Sequence, residues 1–476
     1  MNVTGQDLCD KAIDMALQKG ATYAEARFES LQNNQFVLKN GVPELGEFDR
    51  TTGIGIRVLV DGAMGFGSFN TLNRITLDEA LTQAIKLAKA SARVRKHPII
   101  FSEEKAYEKE YAAKVVQSPR STDPEEKMNI LFEIDKNISD LPIPFRIVIL
   151  LDTESHKYYV NSDGTRIEDH IPRILFYGLL TAVDHTKGAM EQAYFQKGAT
   201  GGYEWIEKWD IVNFLKNEAE ILASVASDAK KSPKGVVDFV AGPNIAGIIA
   251  HENCGHPSEA DRILGREAAQ AGESYLGTDK LGKKIGSDYV TIIDDPTIPG
   301  SYGYYLYDAE GVPSRPRYLI KNGIFKEMLH NRESAGFLNT QSTGAARVSA
   351  FNREPIPRMA NTFIAAGDYE IDEIFEDIKL GIYMKNFTEW NIDDRRFQSK
   401  YVGREAYLIR DGELTNELIK RPVLETTTPD LFSAIDAASK KLEFDAALCG
   451  KGDPIQGTPV WHGGAEATRI KNILVR

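Results

Sequence analysis

Apolar residues recur along this chain at two periods. Leu8, Ala12, Ile13, Ala16 and Leu17 fall at helical spacing. Thr4 stands where an N-cap is needed, and Asp7 falls in the first turn, where the helix dipole favours an acid. The period then shortens to two. Ile54, Ile56, Val58 and Val60 alternate within GIGIRVLV, which predicts a strand with one buried face. Asn40-Gly41 and Asp61-Gly62 separate such runs, and both pairs accept the positive φ of tight hairpins. A second helix is predicted from about Thr76 to Ala92.

The next stretch, about Lys96 to Ser121, reads as a linker. Asp123 then offers an N-cap and Pro124 suits the first helical position. FRIVILLD, RILFYGLLTAV and AMEQAYFQKGATGG read as strands, with a hairpin at NSDG, residues 161–164. An amphipathic helix is expected from Asp210 to Lys230, with Ile211, Phe214, Leu215, Leu222 and Ala226 on one face. SPKG, residues 232–235, marks a boundary. Beyond it, RYLIKNGIFKEML and AYLIRDGEL turn at Asn322-Gly323 and Asp411-Gly412. Strands in runs without a βαβ rhythm indicate an α+β fold. The expected domains are an N-terminal α/β domain (1–95), a middle α/β region packed against it (96–232), and a C-terminal β-rich domain (233–476).

That third domain opens on a short buried strand, VVDFVAG. Gly242-Pro243 ends it and starts a helix, NIAGIIAHENCGH. The helix is apolar nearly all round, so it belongs at the centre of its domain. It carries HENCGH at residues 251–256, one residue longer than the H-E-x-x-H signature of zinc hydrolases. Histidines at i and i+4 lie about 40° apart on a straight helix, whereas at i and i+5 they lie about 140° apart. His251 and His256 converge only if the helix widens or ends. A π-turn does this, and Gly255 and Pro257 make a bulge or a helix end accessible. Glu252 is then placed as a general base beside a metal.

A zinc ion needs a third protein ligand. Cys254, i+3 from His251, is the local candidate. His330, His462 and Glu259 are others. Cys449 is the most attractive, because ALCGKGDP lets the backbone approach a metal, and Lys451 could keep the thiolate ionised. The ordinary role of a lone buried cysteine is that of a small hydrophobe.

Composition narrows the function classes. The 476 residues carry a net charge of −12, which argues against nonspecific nucleic-acid binding. Three distant cysteines, Cys9, Cys254 and Cys449, do not make a disulfide scaffold. The N-terminus lacks an apolar signal core, and no apolar run is long enough to span a membrane. A cytoplasmic protein is expected.

These blocks together resemble the TldD/PmbA family of metallopeptidases, in its TldD branch. The resemblance rests on VVDFVAGPNIAGIIAHENCGH, VTIIDDPTIPGSYGYYLYDAEGVPSRPRYLIKNG, IPRMANTFI, REAYLIRDGEL and LCGKGDP, in that order. It covers most of the chain and is most specific from about residue 235 onward. It implies His251, His256 and Cys449 as zinc ligands and Glu252 as the catalytic carboxylate. It also implies unstructured peptides as substrates, and an active branch that pairs with a related subunit lacking the motif. The family is also called a modulator of DNA gyrase, a label these residues do not support. Asn253 and Cys254 depart from the small apolar residues expected between Glu and Gly, and HPSEADR departs from a glycine-rich continuation.

The sequence is therefore expected to encode a zinc-dependent peptidase of unfolded or extended peptides, as a heterodimer with a related subunit or a homodimer. Two other readings stand beside it. One is a noncatalytic regulatory or scaffolding subunit. The other is a hydrolase using Cys254 or Cys449 as nucleophile. TEWNIDDRRFQSKY, residues 388–401, reads as a solvated loop or a substrate surface. Asp308 and Glu310 are expected either near the metal or capping a turn.

Overall fold

A computed structural model of the protein describes residues 4–267 and 272–475. The first helix, Gly5–Gln18, is closed by a capping box between Thr4 and Asp7. The second, Arg74–Ala92, begins two residues before the expected start, because Asn73 caps it by accepting from the amides of Ile75 and Thr76. Asp123 caps Pro124–Ile138 in the same way. Asn40, Asp61, Asn322 and Asp411 all adopt positive φ at their hairpins, each followed by a positive-φ glycine.

Among the described residues, eight strands join the first two regions into one sheet. Its order runs Ala63–Phe69, Phe48–Val60, Tyr23–Lys39, Phe145–Asn161, Arg166–Asp184, Glu108–Ala112; Val42–Glu44 and Ala189–Thr200 pair off this path. Tyr23–Lys39 and Phe145–Asn161 pair without a register break, from Glu25 opposite Asn161 to Lys39 opposite Ile147. The first and middle regions thus share backbone hydrogen bonds as well as side-chain packing. The stretch read as a linker contributes Glu108–Ala112, which lies parallel to Arg166–Asp184.

Even-numbered residues of the two long central strands face the helices. Ala24, Ala26, Tyr158 and Val160 pack under Gly5–Gln18 and Arg74–Ala92. Phe36, Leu38, Val148 and Leu150 pack under Pro124–Ile138 and Ile211–Asp228. The odd-numbered face turns to the C-terminal domain. There Arg57 sits between Glu25 (2.9 Å) and Glu310 (2.5 Å), and Ile171 and Leu175 pack on Tyr305 and Tyr302.

Among the described residues, the C-terminal domain holds a seven-stranded sheet with Gly235–Ala241 inside it and a six-stranded sheet ending on Leu442–Lys451. The helix starting at Pro243 lies between them. Ile245, Ala246, Ile248 and Ile249 contact one core with Phe239, Ile382 and Leu408 of the first sheet and Ile292, Ile364 and Val460 of the second. Burial on both sides explains why this helix is apolar all round.

Candidate metal centre

The α-helix Pro243–Ile249 continues directly into a π-helix over Ala250–Gly255, then a 3-10 turn over His256–Ser258. The wider turn brings residues five apart back to one face. The His251 and His256 rings stand 4.9 Å apart, nearly perpendicular. Gly255 serves this turn by shape rather than by backbone freedom. Its φ is an ordinary −58°, but a Cβ there would meet Met359 Sδ at 1.8 Å. Pro257 does not end the helix ahead of His256, which keeps helical angles (φ −59°, ψ −46°); the chain tightens to a 3-10 turn instead.

Cys449 arrives from the edge strand Leu442–Lys451. Its Sγ lies 3.1 Å from His251 Nε2 and 3.3 Å from His256 Nε2. All three side chains are buried, and their donor atoms fall within 4.8 Å of one another. Burial alone raises the Cys449 thiol, but His256 and Arg358 outweigh it and hold it below its ordinary value. Burial lowers His251, keeping the imidazole neutral as a ligand requires.

Lys451 is directed elsewhere. Its ammonium is taken up by Asp261 (2.7 Å) and Glu259 (3.1 Å). Arg358 is the cation behind the thiol, donating to the carbonyls of Cys449 (2.6 Å) and Gln456 (2.7 Å).

The other candidates divide cleanly. Glu259 is a partner of the site, not a member of it. His256 Nδ1 donates to it at 3.1 Å, which leaves the Nε2 lone pair facing Cys449. Burial works against the Glu259 carboxylate, but Lys451, His256 and Arg262 hold it well below the usual range. Cys254 lies in the apolar core, 3.9 Å from Ser258 Oγ, and burial pushes its thiol up. His330 contacts Ser334 at 3.1 Å, away from the cluster. His462 lines the same cavity, 6.3 Å from His251 between ring centres, but stays outside the donor group. Asp308 caps a turn by accepting from the amides of Glu310, Val312 and Ala346, while Glu310 pairs with Arg57.

Asn253, the departure inside the motif, anchors the π-turn. Its side chain is fully buried; it donates to Thr428 Oγ1 (2.5 Å) and Ser399 Oγ (3.2 Å) and accepts from Tyr401. Tyr275 donates to its carbonyl at 3.0 Å. These partners stand on and beside the hairpin Phe387–Ile392 and Gln398–Gly403, so residues 388–401 are not simply a solvated loop. The loop of that hairpin holds Arg396 at φ +61°, with its Nε 3.6 Å from Glu252 Oε2. Sequence reasoning did not single out Arg396, since nothing local marks a left-handed arginine as a partner of a distant carboxylate. Burial opposes the Glu252 charge; His256, His251 and Arg396 prevail and keep it below its ordinary value.

His251, Glu252, His256 and Cys449 lie along one cavity of about 770 Å³. Its walls come from the middle region, including Tyr177, Tyr194 and Phe214, and from the C-terminal domain, including Trp390 and the strand residues Glu443–Gly450.

Models of the PmbA/TldA metallopeptidase domains match this chain three times: domain 1 at residues 24–92, the central domain at 117–232 and the C-terminal domain at 234–470. A Methanocaldococcus jannaschii protein named a metalloprotease is 35% identical over 463 residues, covering 97% of this chain and 98% of that one. A zinc metalloprotease TldD homolog of Saccharolobus solfataricus is 26% identical, covering 98% and 99%. Among solved structures, a Thermotoga maritima protein described as a candidate modulator of a DNA gyrase superposes with TM-score 0.79 at 17% identity, covering 99% of this chain and 100% of that one. TldE of Thermococcus kodakarensis does so with TM-score 0.73 at 17%, covering 98% and 99%. The two structures agree in fold, and the sequence matches run in the same order along the whole chain. This chain belongs to the PmbA/TldD family of metallopeptidases.

Proposed function

We propose that this chain is a zinc peptidase acting on unfolded or extended peptides, with His251, His256 and Cys449 as zinc ligands and Glu252 as general base. The observation carrying this reading is the π-turn, which gathers two imidazoles and a thiol beside a buried carboxylate on one cavity wall. Two neutral imidazoles and a thiolate suit zinc far better than magnesium or calcium. A bound zinc ion supplies a Lewis acid for the peptide carbonyl and lowers the pKa of water at the site. Glu252 accepts the proton of the attacking water and returns it to the leaving amine. His256, His251 and Arg396 together hold that carboxylate below its ordinary value. Glu259 fixes the His256 ring and its tautomer.

The strand Leu442–Lys451 supports the choice of substrate. It is the last strand of its sheet, and its residues Glu443–Gly450 line the cavity next to Cys449. An extended peptide adds to such an edge through main-chain hydrogen bonds, with little demand on side chains. A folded protein cannot present that backbone. The three free cysteines fit a reducing cytoplasm, and the family resemblance favours a dimer with a related subunit or a second copy. Light scattering of the purified chain, alone and with a related subunit, tests the assembly.

The decisive variant is Glu252→Gln. It is expected to retain zinc while losing peptidase activity by roughly 10²–10⁴-fold, the usual contribution of a positioned acid–base group. Full activity in a zinc-loaded Glu252→Gln protein refutes the mechanism. Equal rates on a folded protein and its unfolded form refute the substrate class.

A further inference from the structure

A second group of metal-ligating side chains lies in the N-terminal sheet, far from the cavity. His156 stands directly opposite His170 in the pairing of Phe145–Asn161 with Arg166–Asp184. Glu168 is two residues from His170, so strand alternation puts all three on one face. His156 Nε2 lies 2.7 Å from Glu168 Oε1, and His170 Nε2 lies 3.8 Å from the same oxygen. One donor atom from each residue falls within 4.8 Å of the other two. The chain has only eight histidines, and two of the five outside HENCGH and its cavity form this pair.

We propose that His156, Glu168 and His170 form a second divalent transition-metal site, separate from the His251, His256 and Cys449 centre. Its place in the fold keeps it open. These residues lie on the helical face of the sheet, in the strip between the core under the first two helices and the core under the other two. All three remain partly exposed. Their setting is otherwise held. Gln6 Nε2 donates to Glu168 Oε1 at 2.8 Å, and Phe28 packs edge-on against His156 at 5.6 Å. The imidazoles stack with centres 4.1 Å apart and planes 10° apart, so a modest splay about χ2 aims both Nε2 atoms at one point. Glu110 on the neighbouring parallel strand stands in register with Glu168. Two glutamates side by side, with two imidazoles next to them, attract a dication. Two nitrogens and a carboxylate select zinc, nickel or copper over magnesium or calcium. Water completes the coordination at an exposed site.

The test is equilibrium dialysis of the full chain against micromolar zinc chloride, with bound zinc counted per chain. The wild type is expected to bind two ions. His156→Ala and His170→Ala should each bind one, Cys449→Ala should bind one, and the His156→Ala/Cys449→Ala double variant none. His185→Ala, which removes a solitary exposed histidine, should still bind two. Unchanged melting temperatures of the metal-free variants show that the sheet is intact. The proposal is overturned if His156→Ala and His170→Ala bind as much zinc as the wild type. It is also overturned if the wild type binds one ion and Cys449→Ala binds none. Retention of both ions by Cys449→Ala would instead count against the reading of the first centre and leave this one standing.

Discussion

Single residues decide what the cavity can do, and the two cysteines near the motif show how far environment overrides type. Cys254 is only two places from Glu252, yet it sits in the core with its thiol pushed up by burial. Cys449 comes from another element and meets both histidines. Cys449→Ala is therefore expected to lose the ion of this centre, whereas Cys254→Ala keeps it and loses about 1 kcal/mol of stability from the small void; counting bound metal per chain, with denaturant melts, separates the two. His330 carries a pH signature. Burial lowers its pKa from 6.5 to about 4, so the fold keeps it neutral while the unfolded chain takes up a proton below 6.5. Stability should be full above that pH and fall by up to about 3 kcal/mol towards pH 4. His330→Gln should flatten that part of the urea-midpoint profile. Much of this scale was legible, because the i, i+5 spacing of His251 and His256 states its own geometric demand. Cys449 stood out through its glycines and the family resemblance. Arg396 was invisible and the carboxylate partners of Lys451 were not foreseen, since neither burial nor the partner of a charge is written in local sequence.

At the scale of elements, the π-turn is the part whose failure would be most specific. Gly255→Ala forces a methyl onto Met359. Met359 is buried, so the turn has to yield rather than the side chain. Metal affinity is expected to fall by about 10–100-fold, as when the support of a ligand is removed, with the rest of the fold intact by circular dichroism. Unchanged zinc affinity would show that the donors do not depend on the turn. Helices and hairpins were readable in advance because caps and Asn-Gly or Asp-Gly pairs act locally: Thr4, Asp123, Asn322 and Asp411 behave as their types require. The strand hidden at Glu108–Ala112 was not, because its order comes from pairing with residues 166–170 rather than from an apolar pattern of its own.

For the whole molecule, the helix-free face of the N-terminal sheet is the joint that holds the cavity walls in place. Arg57 lies fully buried between Glu25 and Glu310, from two different regions of the chain. Arg57→Ala strands two buried carboxylates and is expected to cost about 3–5 kcal/mol, read as a lower denaturant midpoint. Arg57→Lys should recover only part of it, having lost the planar fork. That joint was not legible, because a two-sided sheet is revealed only once strands distant in sequence find each other. The separation of Cys449 from His256 by 193 residues has a consequence during synthesis. At the usual pace of about 5–20 residues per second, the ribosome needs roughly 10–40 s to reach the thiol after making the second histidine. Through that interval the nascent chain carries Glu252, the proposed acid–base group, and both imidazoles without the thiol that meets them in the folded chain. Thr468–Val475, made later still, pairs directly with Gly235–Ala241, the strand that leads into the metal-site helix. On the proposed reading of the centre, a chain stopped before Cys449 carries an incomplete donor set and is expected to show no peptidase activity.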